Sequence, residues 1–230
     1  MTLFARAAAA LGMCWLALCG MSDPKATASL EAGVLERINF ARQYPQEYAE
    51  LLRDYRRFFE GNILFLPGDP NGLITREGPR AVDEAIDFLE AQAPLPPLTR
   101  AEILTLAARD HADMQGPVGG TGHVSRDGAS PGERVKRRGG DIYVGESISY
   151  GHADPDSVVM QFIIDDGVPS RGHRKLIFAS DFRYAGVGCG SHRSYRHMCV
   201  VDLSGTATGA PVMPEWASAQ GGQLFRMPER

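Results

Sequence analysis

The sequence predicts an α+β fold in which a small antiparallel sheet lies between helices. Three observations carry that expectation. Apolar residues recur at helical spacing in several well-separated stretches. Strand-like segments are few, and the last two, Phe182 to Cys189 and Cys199 to Leu203, flank a turn-like stretch as a hairpin. The chain has 230 residues, 43% hydrophobic and 23% charged, so its size and composition suit one domain with a real core.

Taken in order, Leu30, Val34, Leu35, Ile38 and Ala41 mark a helix from Leu30 to Gln43. Pro45 suits the first turn of a second helix, where its missing N–H costs nothing, and Tyr48, Leu51, Leu52, Tyr55 and Phe59 share one side of it. A break follows at Gly61, and the stretches Asn62 to Leu66 and Leu73 to Thr75 read as a small hairpin or irregular excursion. Pro79 opens a third helix with Val82, Ala85, Ile86 and Leu89 inward. After the extended Pro94 to Leu98, Thr99 is expected to cap a strong helix whose inner face is Ile103, Leu104, Leu106, Ala107 and Met114. Glycines crowd the stretch from Gly116 to Gly122, so His123 should emerge from a loop.

Ser130-Pro131-Gly132-Glu133 is a capping box, and the short helix it opens runs to about Arg138. Its basic run, Arg134 to Arg138, reads as a solvated face, and Glu133 as the cap. A strand is expected from about Ile142 to Tyr150, then a helix from Asp156 to Ile164 that buries Val158, Val159, Phe162 and Ile163. Asp165 falls at the C-terminal end of that helix, where the dipole disfavours a carboxylate, so a compensating partner, cation or metal is expected.

The N-terminus reads as an export signal: Arg6, an apolar run from Ala7 to Cys19, and an Ala26-Thr27-Ala28 cleavage site. The run is too short for a membrane span, which needs close to 20 residues. Export as a soluble secreted or periplasmic protein is favoured over a lipid anchor at Cys19, because Leu18 stands where a small residue is preferred. The expected divisions are a signal over residues 1–28, a helical extension packed on the domain over 29–97, a core domain over 98–205 and a flexible tail over 206–230. Loss of the signal would take the net charge from −4 to −5, which argues against a nucleic-acid surface. In an exported chain, Cys189 and Cys199 at facing ends of a hairpin read as a disulfide.

His123 and His173 each follow a glycine, and Glu146 does the same. Gly122-His123, Gly145-Glu146 and Gly172-His173 therefore read as turns that present side chains, with Asp165 as the second acid. If the fold gathers the four, three uses are open. They are a divalent metal such as zinc on imidazole nitrogens, acid–base chemistry near neutral pH, or a polar network that pins segments together. His111 reads as a packed helix residue, His152, His192 and His197 as surface loop or hairpin residues, and Arg174 as a structural partner of an acid. Ser147 and Ser149 show no nucleophile elbow.

Five stretches in order resemble the CAP superfamily, which groups cysteine-rich secretory proteins, venom antigens and plant pathogenesis-related proteins. They are Leu98-Thr99 running into Ala107 to Met114; Gly122-His123 with Asp127-Gly128; Gly145-Glu146-Ser147-Ile148; Ser170-Arg171-Gly172-His173-Arg174; and Ala185-Gly186-Val187-Gly188. The likeness runs from about Leu35 to Gly205 and is nearest the bacterial branch. It implies an α-β-α sandwich, an extracytoplasmic location and a cleft lined by His123, Glu146, Asp165 and His173. In some members two such histidines bind a divalent metal, often zinc. The resemblance makes a binding module the leading expectation: a metal or small polar ligand in the cleft, and a lipid or extracellular protein partner on apolar surfaces. A metal-assisted or His/Glu-based hydrolase, or a structural protein, is the alternative. Three positions depart from the pattern: Ser147 and Leu176 replace the usual Asn, and Asp165 replaces the usual Glu. Asp166, about 100° further round a helix, competes with Asp165 for the cleft.

Overall fold

The computed structural model describes residues 24–213; the export run with Cys14 and Cys19, and residues 214–230 of the expected tail, lie outside the described residues. Helices α1 (Pro24–Gln43) and α2 (Pro45–Arg56) meet at Tyr44-Pro45. A three-stranded antiparallel meander follows, β1 (Phe59–Glu60), β2 (Ile63–Leu64) and β3 (Leu73–Ile74), and then α3 (Pro79–Ala91). The extended connector leads through β4 (Thr99–Arg100) to α4 (Glu102–Gln115), a 3₁₀ turn at Gly116–Val118 and α5 (Pro131–Arg137). The rest is β5 (Gly145–Tyr150), α6 (Pro155–Ile164), α7 (Gly172–Ile177), β6 (Tyr184–His192) and β7 (Arg196–Ser204).

The main sheet has the order β4-β6-β7-β5. It is antiparallel except for the two-residue β4, which runs parallel to β6. Strand alternation sends Ala185, Val187 and Cys189 of β6, with Cys199, Val201 and Leu203 of β7, into a core shared with α1, α2, α3, α6 and α7. The opposite face, with Ile148, Met198 and Val200, packs on Ala108 and Ala112 of α4. Helices thus cover both faces of the sheet, as the α+β reading requires. The expected Cys189–Cys199 disulfide is formed, joining directly opposed residues of β6 and β7.

Two helical expectations need correction. Thr99 does not cap α4: it lies in β4, where its N–H donates to Arg183 O, and Ala101 precedes the helix without a side-chain cap. The buried face of α4 is also rotated. Leu104, Thr105, Ala107, Ala108, His111, Ala112 and Gln115 are buried, whereas Ile103, Leu106 and Met114 are only half-buried. Glycines of β6 are the cause. A Cβ on Gly186 would stand 2.1 Å from Thr105 N, and one on Gly188 would stand 2.3 Å from Arg109 N. The helix backbone therefore lies directly on the strand, a contact that selects small residues over the larger apolar ones.

Candidate functional site

A cleft opens over β5, the edge strand of the main sheet, where the two helical layers part. It is a cavity of about 240 Å³ lined by His123, Ile148, Tyr150, Phe162, Asp165 and His173, among others. The structure therefore brings both imidazoles and Asp165 to one hollow. Glu146 stands behind His123, its side chain 1% exposed.

Glu146 is not on a turn: it is the second residue of β5, and strand alternation places it on the same face as Ile148 and Tyr150. Its Oε1 accepts from His123 Nδ1 at 2.8 Å, and its Oε2 takes Arg134 Nη2. Arg134 corrects the solvated-face expectation, because it is wholly buried. Its guanidinium also donates to His123 O at 2.9 Å, to Ser125 Oγ at 3.0 Å and to Ala129 O at 3.0 Å. A capping box does open α5 through Ser130 and Glu133, as expected, and this points Arg134, one residue on, inward.

The loop that carries His123 is held by α4 and β5. His111, fully buried, donates through Nε2 to Gly122 O at 2.9 Å and accepts at Nδ1 from Ser125 Oγ at 2.8 Å. Burial, helped by Arg134, lowers its pKa, so it stays neutral and fits this pattern. Gln115 Nε2 also donates to Gly122 O, and Tyr150 Oη accepts from Gly122 N–H while donating to Gln115 Oε1.

The second histidine is not on a turn either. His173 is the second residue of α7, and its Nδ1 donates to Asp165 Oδ1 at 2.6 Å. Asp165 ends α6 in a left-handed conformation, φ 57°, and its Oδ2 accepts the N–H of His173 at 3.0 Å and that of Arg174 at 3.4 Å. The compensation expected for this carboxylate is therefore the N-terminus of α7, whose unpaired N–H groups it satisfies. Arg174, buried, donates to Ile163 O, Ile164 O and Glu84, filling the last carbonyls of α6; its role is structural. Asp166 reaches the cavity wall but spends its oxygens on the N–H groups of Arg76 and Glu77.

Of the remaining histidines, His197 is half-buried on β7 and His152 half-buried beside a neighbouring cavity. His192 corrects the surface expectation: it is buried, its Nε2 donates to Gly120 O at 2.7 Å, and its Nδ1 accepts from Ser194 and Tyr195 N–H. Ser147 and Ser149 sit on the other face of β5, with buried hydroxyls that have no partner among the described residues.

Sequence reasoning missed Arg134, Gln115, Tyr150 and Asp202. Asp202 stands directly across the β5–β7 ladder from Glu146, fully buried. Burial and the neighbouring Glu146 raise its pKa well above the ordinary carboxylate value, so it carries its proton. A lone acid inside the apolar run from Cys199 to Leu203 was the available signal.

The family model described as "Cysteine-rich secretory protein family", CAP, matches residues 35–203. Among solved structures, the chain is similar to an extracellular protein containing a SCP domain from Bacillus anthracis, at 17% identity and a TM-score of 0.45, over 80% of this chain and 44% of that one. The chain thus spans under half the length of that protein. It is also similar to an outer surface protein from Borrelia burgdorferi, at 19% identity and a TM-score of 0.39, over 47% of this chain and 77% of that one. No curated protein matches the chain.

Proposed function

Because the chain belongs to the cysteine-rich secretory protein family, we propose that it is an exported binding protein whose cleft takes a divalent metal, zinc foremost, between His123 and His173. One observation carries this reading: each imidazole gives its Nδ1 side to a buried carboxylate, Glu146 or Asp165. A carboxylate only accepts, so in the neutral ring the proton sits on Nδ1 and Nε2 keeps the lone pair that a metal needs.

In this arrangement Glu146 and Asp165 hold the rings, and their oxygens are already used by His123, Arg134, His173 and Arg174. Among the described residues no group of three or more His, Cys, Asp and Glu side chains stands ready for a metal. The donor set is therefore two imidazoles with water completing the shell, which suits a borderline ion. It is fewer than the three protein ligands usual for catalytic zinc, so the ion should exchange readily. A bound metal would supply a Lewis acid for a small polar ligand in the cleft.

The reading of residues 1–28 as a signal supports export, and no described helix is long and apolar enough to cross a membrane. The hydrolase alternative predicts turnover of peptides or esters that a Glu146→Gln variant abolishes. Calorimetric titration of chelator-stripped protein with Zn²⁺ tests the metal. Saturable uptake is expected, lost in His123→Ala and in His173→Ala, together with a melting temperature that rises with Zn²⁺ in the unaltered protein alone. Equal heats in the unaltered and double-histidine proteins would refute the metal reading.

A further inference from the structure

The two edges of the main sheet are treated differently. Along β6, Ala185 O accepts from Ala101 N–H, Arg183 O accepts from Thr99 N–H, and Cys189 N–H donates to buried Glu31 at 3.1 Å. Along β5, Gly151 N–H donates to His197 O, which fixes the ladder's phase. Ser149, Ser147 and Gly145 then bond β7, while the backbone groups of Glu146, Ile148 and Tyr150 point away from it. Gln161 Nε2, 3.5 Å from Tyr150 O, confirms that direction. Among the described residues nothing pairs with the N–H or C=O of Ile148 on this side. Buried backbone groups demand partners. Ile148 itself lines the histidine cavity.

That cavity adjoins a second of about 200 Å³, with Gln161 and Asp166 common to both. Tyr55, Phe59, Leu64, Leu73 and Met160 make the second hollow apolar. We infer that the cleft binds an extended polypeptide of another protein, which adds a strand to the free edge of β5 and seats one bulky apolar side chain in the adjoining hollow. The inference rests on the binding-module reading of the same cleft and names the class of its ligand.

The occupant follows from the chemistry. An acyl chain would fill the apolar hollow but leave the N–H and C=O of Ile148 unpaired; a peptide backbone satisfies both. A second copy of this chain does not fit, because Glu146 to Ser149 are all buried, so the edge is recessed between helical layers. Two recessed edges cannot meet, whereas a single strand can enter.

Selection of random twelve-residue peptides, displayed on phage, against the immobilised full chain tests this. The enriched peptides should share one large apolar residue. In synthetic versions read by fluorescence polarisation, backbone N-methylation at alternate positions should weaken binding about tenfold or more, and at intervening positions within about threefold. Leu73→Glu, a change at a half-exposed position on the apolar hollow, should weaken binding by a similar factor without lowering the melting temperature. Absence of enrichment, indifference to N-methylation, equal binding by Leu73→Glu, or a light-scattering dimer that excludes the peptides would each overturn the inference. Zn²⁺ titration of the same preparation separates the two readings. Metal uptake without peptides sinks only the inference, and peptides without metal uptake sink only the metal.

Discussion

Asp202 lies wholly buried on β7, opposite Glu146, and its protonated carboxyl shares a side-chain hydrogen bond with the Glu146 carboxylate. Its raised pKa makes it a cost that grows with pH. Below the ordinary Asp value, about 4, both folded and unfolded chains hold the proton and nothing is lost. Above it the unfolded chain ionises while the folded chain does not, so stability falls as pH rises toward the folded value. Asp202→Asn should remove that slope: its melting temperature should gain on the unaltered protein from pH 4 to pH 8, and parallel curves would refute the assignment. Arg134 is the complementary case. Arg134→Met leaves Glu146 buried without its cation, and a loss of about 3–5 kcal/mol in denaturant unfolding is expected. Side chains of this kind are hard to read from sequence. His123, Glu146, Asp165 and His173 were visible as types in a family pattern. Arg134 sits in a run of bases that spacing assigns to solvent, and only the inward turn after the capping box reverses that.

Elements were more legible where a local signal acts alone. Pro45 and Pro79 stand at helix starts, Ser130 and Glu133 form their box, and two apolar strands around a turn mark the final hairpin. They were less legible where contact between elements decides. The short helix α7 starts on an Arg171 held at φ 51° by Glu77 and Glu84, partners 87 to 94 positions away, so a local reading sees only a Gly-His-Arg turn. The face of α4 depends likewise on glycines 80 residues downstream. Gly188→Ala should force α4 off the sheet, since its Cβ would meet backbone rather than a flexible side chain. A cost of about 1–3 kcal/mol is expected. The displacement should also disturb the Gly122 loop through His111 and Gln115, so histidine ring NMR signals should shift as well. Unchanged stability would show that the helix has room to retreat.

For the molecule as a whole, the α+β class followed from patterning, and the position of the cleft did not. The four polar residues come from a loop, a strand, the end of one helix and the start of the next, and only the splayed layers over β5 gather them. The Cys189–Cys199 bridge ties the two longest strands at their middle. Replacing both cysteines by alanine should lower stability by about 2–3 kcal/mol on the chain-entropy model. The fold should persist, since both side chains sit in a core that the helices also build. Circular dichroism with denaturant melts would register both outcomes, and loss of cooperative unfolding would contradict the second.

The carboxylate of Glu31, which takes the N–H of Cys189 and is held by Arg109, has a consequence for crowded solutions. Cross-β fibres elongate only when each added unit presents a fresh ladder on its far side. Here the far side is blocked at Arg183 and Ala185 by the chain around β4 and at Cys189 by Glu31, so a guest strand laid along the near side would find the stack obstructed at those positions beyond it. A carboxylate plug at one rim thus works against open-ended growth from the other.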